Sequence, residues 1–303
     1  RSGLMVDRAY VGPRLSRGQT PQSRVLLVTT FGLVACGTTS SSPPVSDSGR
    51  PDVTAPTEDV VSGSDARAPA DTTSGDGKRI LMVVGDSNGS VARGDAIGDR
   101  FVRDRLRNTL GHQVTLIDDI TPPEDLLAAA QASDMVLVVE SILSGNLGDH
   151  LKTTTTPLLN YEAFIQDEMG QTPAGPPGDP GEPTEFALGV RASDIAIDIV
   201  DPNHPLAANL RGKVTVYRDA KEVTWGKVAP TAEVVATLAG ASDGATIYVY
   251  REGATLYDGS TAAGLRVQFF LEDDNVTGTP NLMTDDGLKL FDAAVSFALK
   301  RGR

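Results

Sequence analysis

"RILMVVGD" (Arg79–Asp86) is the segment from which the fold of this chain can first be inferred. Five consecutive apolar residues run directly into a Gly-Asp pair. An unbroken apolar run that ends at turn residues is typical of a strand buried on both faces of a parallel sheet. We therefore expect a parallel strand here, with helices covering both faces of its sheet.

Two helices are predicted in the residues that follow. "DAIGDRFVRDRLRNTLGH" (residues 95–112) has one apolar stripe, and Gly111 is placed to end the helix. The stripe consists of Ile97, Phe101, Val102, Leu106 and Leu110. A shorter helix is expected to run through Ala132. Its capping box and first-turn proline would come from Thr121, Pro122 and Glu124.

Further apolar runs alternate with these helices. We predict strands at residues 113–119, 134–140 and 156–162. The alternation predicts an α/β fold with a doubly wound, mainly parallel open sheet and right-handed crossovers.

The second half of the body is less regular, and several of its strands are expected to form antiparallel hairpins. They are predicted near residues 195–200, 214–217, 233–238, 245–250 and 265–271. A final helix should be capped by Thr284, with Asp285 and Asp286 at its start and Lys300 and Arg301 at its end.

The residues before this body predict an exported, lipid-anchored protein. An arginine-bearing segment precedes Val25–Val34, which is too short to span a bilayer but has the length of a secretory signal core. "LVAC" (Leu33–Cys36) resembles the lipobox of bacterial lipoproteins, in which the cysteine is acylated. We therefore expect a signal peptide at 1–35 and a lipid on Cys36, which anchors the protein to the bacterial envelope. Because Gly37 replaces the aspartate that signals inner-membrane retention, the outer membrane or the cell surface is expected.

Residues 36–77 are rich in Ser, Thr, Pro, Gly and Asp, and they contain only a few valines and no long apolar run. Such a composition cannot bury enough apolar surface to offset its ordering entropy, so we predict a disordered tether. The folded domain is then 78–303. Cys36 is the only cysteine of the chain, so a disulfide within one chain is excluded.

The charge of the chain argues against a nucleic-acid partner. The formal net charge is −13, and residues 1–35 hold five arginines and one acid, which leaves −17 on the remainder. A body this acidic repels phosphate backbones.

Residues 79–299 resemble a domain of secreted bacterial proteins related to the trehalose-utilisation type and to the class I glutamine amidotransferases. The segments that carry the resemblance include "VVGDSN", "GHQVTLIDD", "DMVLVVESILSGN" and "PLLNYEAFIQDEMG". The resemblance implies an amidotransferase-like or flavodoxin-like α/β sheet. It also implies a nucleophilic cysteine in a Gly-x-Cys-x-Gly turn after a central strand. The matching strand here ends "VVESILSG", so that nucleophile is absent and amidotransferase chemistry is not expected.

A serine nucleophile is the alternative that the sequence leaves open. Ser141 follows the third strand, His204 is the available base, and Glu162 or Glu140 would orient it. The lack of flanking glycines disfavours the strained turn that such a nucleophile needs. The competing interpretation is that Ser141 bonds backbone amides in the loop.

No metal and no cofactor are expected. His112 and His150 are isolated, and the acids at 272–274 and 285–286 lack the spacing of a calcium loop. "GDSNGS" (residues 85–90) lacks the full glycine fingerprint of a nucleotide site.

Ligand-binding candidates follow from position alone, since the crevice of an open α/β sheet lies beyond the carboxyl ends of its strands. They are Gly85, Asp86, Ser87, Asp118, Glu140, Ser141, Asn160 and Glu162. Trp225, the sole tryptophan, could stack on a sugar ring.

Three functions remain as hypotheses. The first is a non-catalytic surface lipoprotein that binds a carbohydrate or an envelope protein. The second is a hydrolase that uses Ser141, and the third is a structural subunit of a surface assembly. An unpaired strand at the sheet edge would favour the third.

Overall fold

The structure is a computed structural model that describes residues 77–86, 92–173, 188–272 and 278–300. Of residues 188–193 it describes the backbone only. The predicted signal peptide, the lipid on Cys36, the tether up to residue 76, Ser87 and Arg301 lie outside these residues and stay predictions.

One sheet contains the eleven strands of the described residues. Their bounds are β1 Arg79–Val84, β2 Gln113–Asp118, β3 Met135–Val138, β4 Leu158–Asn160, β5 Leu188–Asp194, β6 Ala196–Ile199, β7 Gly212–Thr215, β8 Lys221–Gly226, β9 Glu233–Leu238, β10 Ala241–Tyr250 and β11 Arg266–Gln268. The α-helices are α1 Ile97–Asp104, α2 Pro123–Gln131, α3 Ser144–Leu147 and α4 Asp285–Leu299. Short 3₁₀ turns occupy Ala163–Ile165, Pro205–Ala207 and Thr279–Leu282.

Five adjacent strands, in the order β2-β1-β3-β4-β11, are mutually parallel. Strand β1 lies inside this group, where Val83 is in register with Ile117 on one side and Val138 on the other. Residues 80–84 are all buried. The first predicted strand is therefore confirmed, because its unbroken apolar run has no polar face to show to solvent.

Helices cover both faces of this parallel group. On one face α1 and α4 pack against Ile80 and Met82, as part of the larger hydrophobic cluster. On the other face α2 and α3 pack against Leu81 and Val83. The alternation of side chains along β1 thus divides its apolar residues between two cores, one on each side of the sheet.

Beyond β11 the sheet becomes antiparallel. β10 runs antiparallel to β11, and β9, β6 and β7 continue the antiparallel order. β8 bridges to β10 through Gly226 and Ala245 and pairs with β5. The α/β class and the antiparallel strands of the second half are as predicted, but the sheet as a whole is mixed rather than mainly parallel. Strands β5 and β8 were not predicted.

The predicted start of α2 is wrong by one residue. Pro122 is the N-cap and Pro123 the first helical residue, and no side chain caps the helix. Thr121 therefore lies one position too early to form a capping box with Glu124.

The first helix also differs from its prediction, since it changes at Arg105 into a π-helical turn, Arg105–Thr109. Gly111 has a φ of 74°, the left-handed conformation expected where a helix ends. Ile97, expected on the buried stripe, is 41% exposed. The final helix is confirmed, because the hydroxyl of Thr284 accepts a hydrogen bond from Gly287 N at 3.1 Å.

Candidate functional site

The carboxyl ends of the parallel strands meet along one edge of the sheet, which we call the carboxyl edge. Its predicted members within the described residues are Gly85, Asp86, Asp118, Glu140, Ser141, Asn160 and Glu162. Glu272 follows β11 and joins them. From the sequence, Glu272 is predicted only as a loop acid, because the sequence does not reveal that β11 lies parallel beside β4.

Ser141 is fully buried and connects two loops of this edge. Its Oγ accepts a hydrogen bond from the backbone N–H of Gly85 at 3.0 Å. The two loops touch so closely that a Cβ on Gly85 would lie 2.2 Å from the carbonyl oxygen of Ser141. Ser141 therefore satisfies a buried backbone amide, as the competing interpretation of this residue predicted.

His204 lies at the opposite edge of the sheet, so the triad of Ser141, His204 and Glu162, which the sequence left open as an alternative, does not assemble. It follows β6, which runs antiparallel to β9, whereas Ser141 follows β3. Five strand spacings separate β3 from β6, or roughly 24 Å at the usual spacing. The triad is wrong because strand direction in the second half was not readable from the sequence.

The imidazole of His204 is occupied by other partners. Its Nδ1 accepts a hydrogen bond from Leu206 N at 3.2 Å, and its Nε2 lies 3.2 Å from a carboxylate oxygen of Glu233. Glu233 also pairs with Arg251, whose hydrogen bond is the main cause of the lowered pKa of Glu233. His204 thus caps the turn at Pro205–Ala207 and packs against Phe297.

Three buried glutamates, Glu140, Glu162 and Glu272, form a carboxyl cluster at the carboxyl edge. Glu162 is hydrogen-bonded to the side chain of Glu140, and its Oε1 accepts from Phe164 N at 2.8 Å. Burial, and then the charge of Glu272, raise the pKa of Glu162 well above its ordinary value. The raised pKa favours the protonated form of Glu162, in which a carboxyl can both donate and accept hydrogen bonds.

Asn160 holds the carboxyl cluster in place instead of facing a ligand. Its Nδ2 donates to the carbonyl of Glu162 at 2.8 Å and to Gln268 Oε1 at 2.7 Å, while its Oδ1 accepts from Glu162 N at 3.1 Å. On the far side, the hydroxyl of Thr224 lies 2.8 Å from Glu272 Oε2. The side chain of Asn160 is thus a positioning group that joins β4 to β11.

The acids at the ends of β1 and β2 surround the guanidinium group of Arg93, a residue that the sequence did not identify as part of a site. Arg93 pairs with Asp86, Asp118 and Asp119, its distance to Asp119 being 2.6 Å. The second oxygen of the buried Asp119 accepts from Leu143 N at 2.8 Å and from the amide of Asn146 at 3.1 Å. This ion-pair network ties together the loops after β1, β2 and β3.

Trp225 lies in β8 directly after Thr224, whose hydroxyl contacts Glu272 of the carboxyl cluster, and it is partly buried against the larger core cluster. Its carbonyl oxygen accepts a bond from Gln166. The described residues hold no group of three His, Cys, Asp or Glu side chains placed to bind a metal ion. They also include no helix long and apolar enough to cross a membrane.

No protein-family model matches this sequence, and no curated protein matches it. Among solved structures, the chain is similar to a crystal structure of a protein from Bacteroides uniformis ATCC 8492 that is described as ThuA-like. The two chains are 9% identical, with a TM-score of 0.40, and the match covers 76% of this chain and 94% of the other. A likeness this weak assigns no activity, so the proposals below rest on the side chains described above.

Proposed function

We propose that this protein is a non-catalytic binding module of the bacterial envelope, anchored through a lipid on Cys36, whose carboxyl edge binds a neutral, hydroxyl-rich ligand such as a carbohydrate. The observation that carries the proposal is the separation of Ser141 from His204. A buried hydroxyl that is bonded to a backbone amide, with its candidate base at the opposite edge of the sheet, favours binding over serine hydrolysis.

The class of ligand is inferred from the carboxyl cluster. The raised pKa of Glu162 favours a carboxyl that can donate as well as accept, and this capacity matches the hydroxyl groups of a sugar. At this edge an anionic ligand would meet the charge of Glu272, so Coulomb repulsion disfavours it there.

The ligand proposal can be tested by calorimetry on the purified full chain with a panel of neutral oligosaccharides and their uronic-acid counterparts. We expect a neutral member to bind, and Glu162→Ala to weaken binding at least about tenfold, the equivalent of one lost hydrogen bond to a neutral group. Glu124→Ala, an exposed glutamate in α2, is the matched control and should bind as the parent does.

Two results would overturn the proposal. One is the absence of binding by any neutral glycan, or equal weakening by the two variants. The other is cleavage of a bound glycan, seen by mass spectrometry and lost in Glu162→Ala, which would make the site catalytic.

The anchor is tested separately, by mass spectrometry of the N-terminal peptide from envelope fractions. An acylated Cys36 at a new N-terminus is expected. An unmodified Cys36 inside an uncleaved chain would remove the envelope location without touching the ligand proposal.

A further inference from the structure

A groove of about 310 Å³ lies at the amino edge of the sheet, where β1 and β2 begin, and so on the opposite edge from the carboxyl cluster. Its walls come from the residue before β1, from the end of the first helical segment and from the last turns of α4. The lining residues used below are Lys78, Leu110, His112, Val295, Ser296 and Leu299. The floor is apolar, because Leu110, Val295 and Leu299 supply it.

The rim of this groove carries two ammonium groups without an ion pair among the described residues, although the charge of Lys78 also acts on Asp134 outside the groove. Lys78 and Lys300 line it, and neither has an ion pair within the described part of the chain. Asp292, the acid at the rim, is already held by Arg105 through two hydrogen bonds of 2.7 and 2.6 Å. On a chain with a net charge of −13, a rim with two unpaired ammonium groups is complementary to an anion.

The imidazole of His112 adds hydrogen-bonding capacity that the protein does not use. Its Nδ1 is buried and has no hydrogen-bond partner. Burial, and then the charge of Lys78, lower the pKa of His112, so the ring is neutral at pH 7 and keeps one N–H donor. The π-helical turn at Arg105–Thr109 leads directly into this wall, and such turns often occur at functional sites.

We propose that the groove between α4 and the starts of β1 and β2 binds a single-chain amphiphile with an anionic head group, such as a medium-chain carboxylate. The chain lies on Leu110, Val295 and Leu299, and the head group lies between Lys78 and Lys300. An apolar body with one charged end fits an apolar floor with a cationic rim better than a sugar or a nucleotide does. This proposal does not depend on the function proposed for the carboxyl edge.

Calorimetry tests the proposal on the full chain carrying Cys36→Ala, so that no acyl group of its own competes. The probes are decanoate, decyltrimethylammonium with the same chain and opposite charge, and acetate with the same head and no chain. We expect decanoate to bind, decyltrimethylammonium to bind at least about tenfold more weakly, and acetate not to bind measurably. Equal affinity for the two decyl probes would overturn the role of the lysines, and with it the proposal.

Variants locate the binding in the groove. The double change Lys78→Gln and Lys300→Gln, at the rim, should weaken decanoate binding about five- to tenfold. Ser296→Phe, which fills the groove, should abolish it. Lys289→Gln is the matched control, since Lys289 lies on α4 outside the groove and pairs with Asp286.

A thermal melt of each variant separates lost binding from lost folding. If Ser296→Phe fails to fold, the double lysine change still decides the matter. Unchanged decanoate affinity in the double variant would contradict the proposal. A dimer in sedimentation experiments that Ser296→Phe disrupts would contradict it as well, because a second copy would then be the occupant.

Discussion

Polar side chains at the carboxyl edge and at the amino edge of the sheet differ in how far the protein itself satisfies them. At the carboxyl edge Ser141, Asn160 and Asp119 are buried and bonded to other parts of the protein. At the amino edge Lys78 and His112 line an apolar groove, where Lys78 makes no ion pair and the His112 Nδ1 has no hydrogen-bond partner among the described residues. A polar residue at a strand end is therefore weak evidence of a site by itself. The hydrogen-bonding capacity that the fold leaves unused is the better guide.

The largest effect is expected where the carboxyl edge is most tightly bonded. Asp119→Ala removes a fully buried carboxylate and leaves Arg93, Leu143 N and Asn146 without their shared acceptor. We expect a loss of about 3 kcal/mol in the free energy of unfolding, measured in urea.

The neighbouring Asp118 is the matched control for this change. Its side chain is 32% exposed and pairs with the same guanidinium nitrogen of Arg93. Because solvent screens it, Asp118→Ala should cost less than about 1 kcal/mol. Equal losses in the two variants would mean that burial does not distinguish these acids.

A somewhat smaller effect is expected from Gly85→Ala, which tests the contact between the loops after β1 and β3. The new Cβ would lie 2.2 Å from the backbone of Ser141, and the loops must move apart, at a cost of about 2 kcal/mol. Gly145→Ala, where a Cβ meets nothing within 4 Å, should change stability by less than about 0.5 kcal/mol. A Gly85 variant as stable as the parent would contradict the tight contact.

Ser141→Ala removes the partner of one buried backbone amide. We expect a loss of about 1–2 kcal/mol in urea unfolding, and no change with Ser144→Ala, whose side chain makes no described hydrogen bond. A fluorophosphonate probe should label neither the parent nor the variant. Labelling of the parent that disappears in Ser141→Ala would restore the hydrolase hypothesis.

The sequence predicted those parts of the fold that local patterning determines. Strands β1 to β4 are short apolar runs, and Thr284 caps α4 in the expected position. The polar residues at the carboxyl ends of those strands followed from the topology of parallel sheets.

The parts that were missed depend on contacts between distant segments. β8 begins with Lys221 and Glu222, and it becomes a strand because β5 pairs with it. Arg93 reaches three aspartates only after the loops have come together. The direction of β6, which moved His204 to the other edge, is set by its pairing with β9. Neither spacing nor composition encodes these partners locally.

The smallest expected effect is a difference in stability between the parent and Glu162→Gln. This difference should depend on pH and should be absent in acid. The pKa of Glu162 is raised in the folded state, so the folded protein binds this proton more tightly than the unfolded chain does. Stability should therefore fall as pH rises above the ordinary range of a glutamate, and it should stop falling once the folded-state pKa is passed. In Glu162→Gln the amide oxygen can still accept from Phe164 N, but the side chain cannot ionise.

Melting temperatures of the parent and Glu162→Gln should consequently agree near pH 4 and diverge toward pH 8, where the variant becomes the more stable protein. Glu124→Gln, in which the changed residue is exposed in α2, is the control and should follow the parent at every pH. Parallel curves for the parent and Glu162→Gln would mean that Glu162 ionises normally. The carboxyl edge would then present a fixed negative charge at neutral pH. Glu162 could not donate a hydrogen bond to a neutral sugar, and that class of ligand would no longer be favoured there.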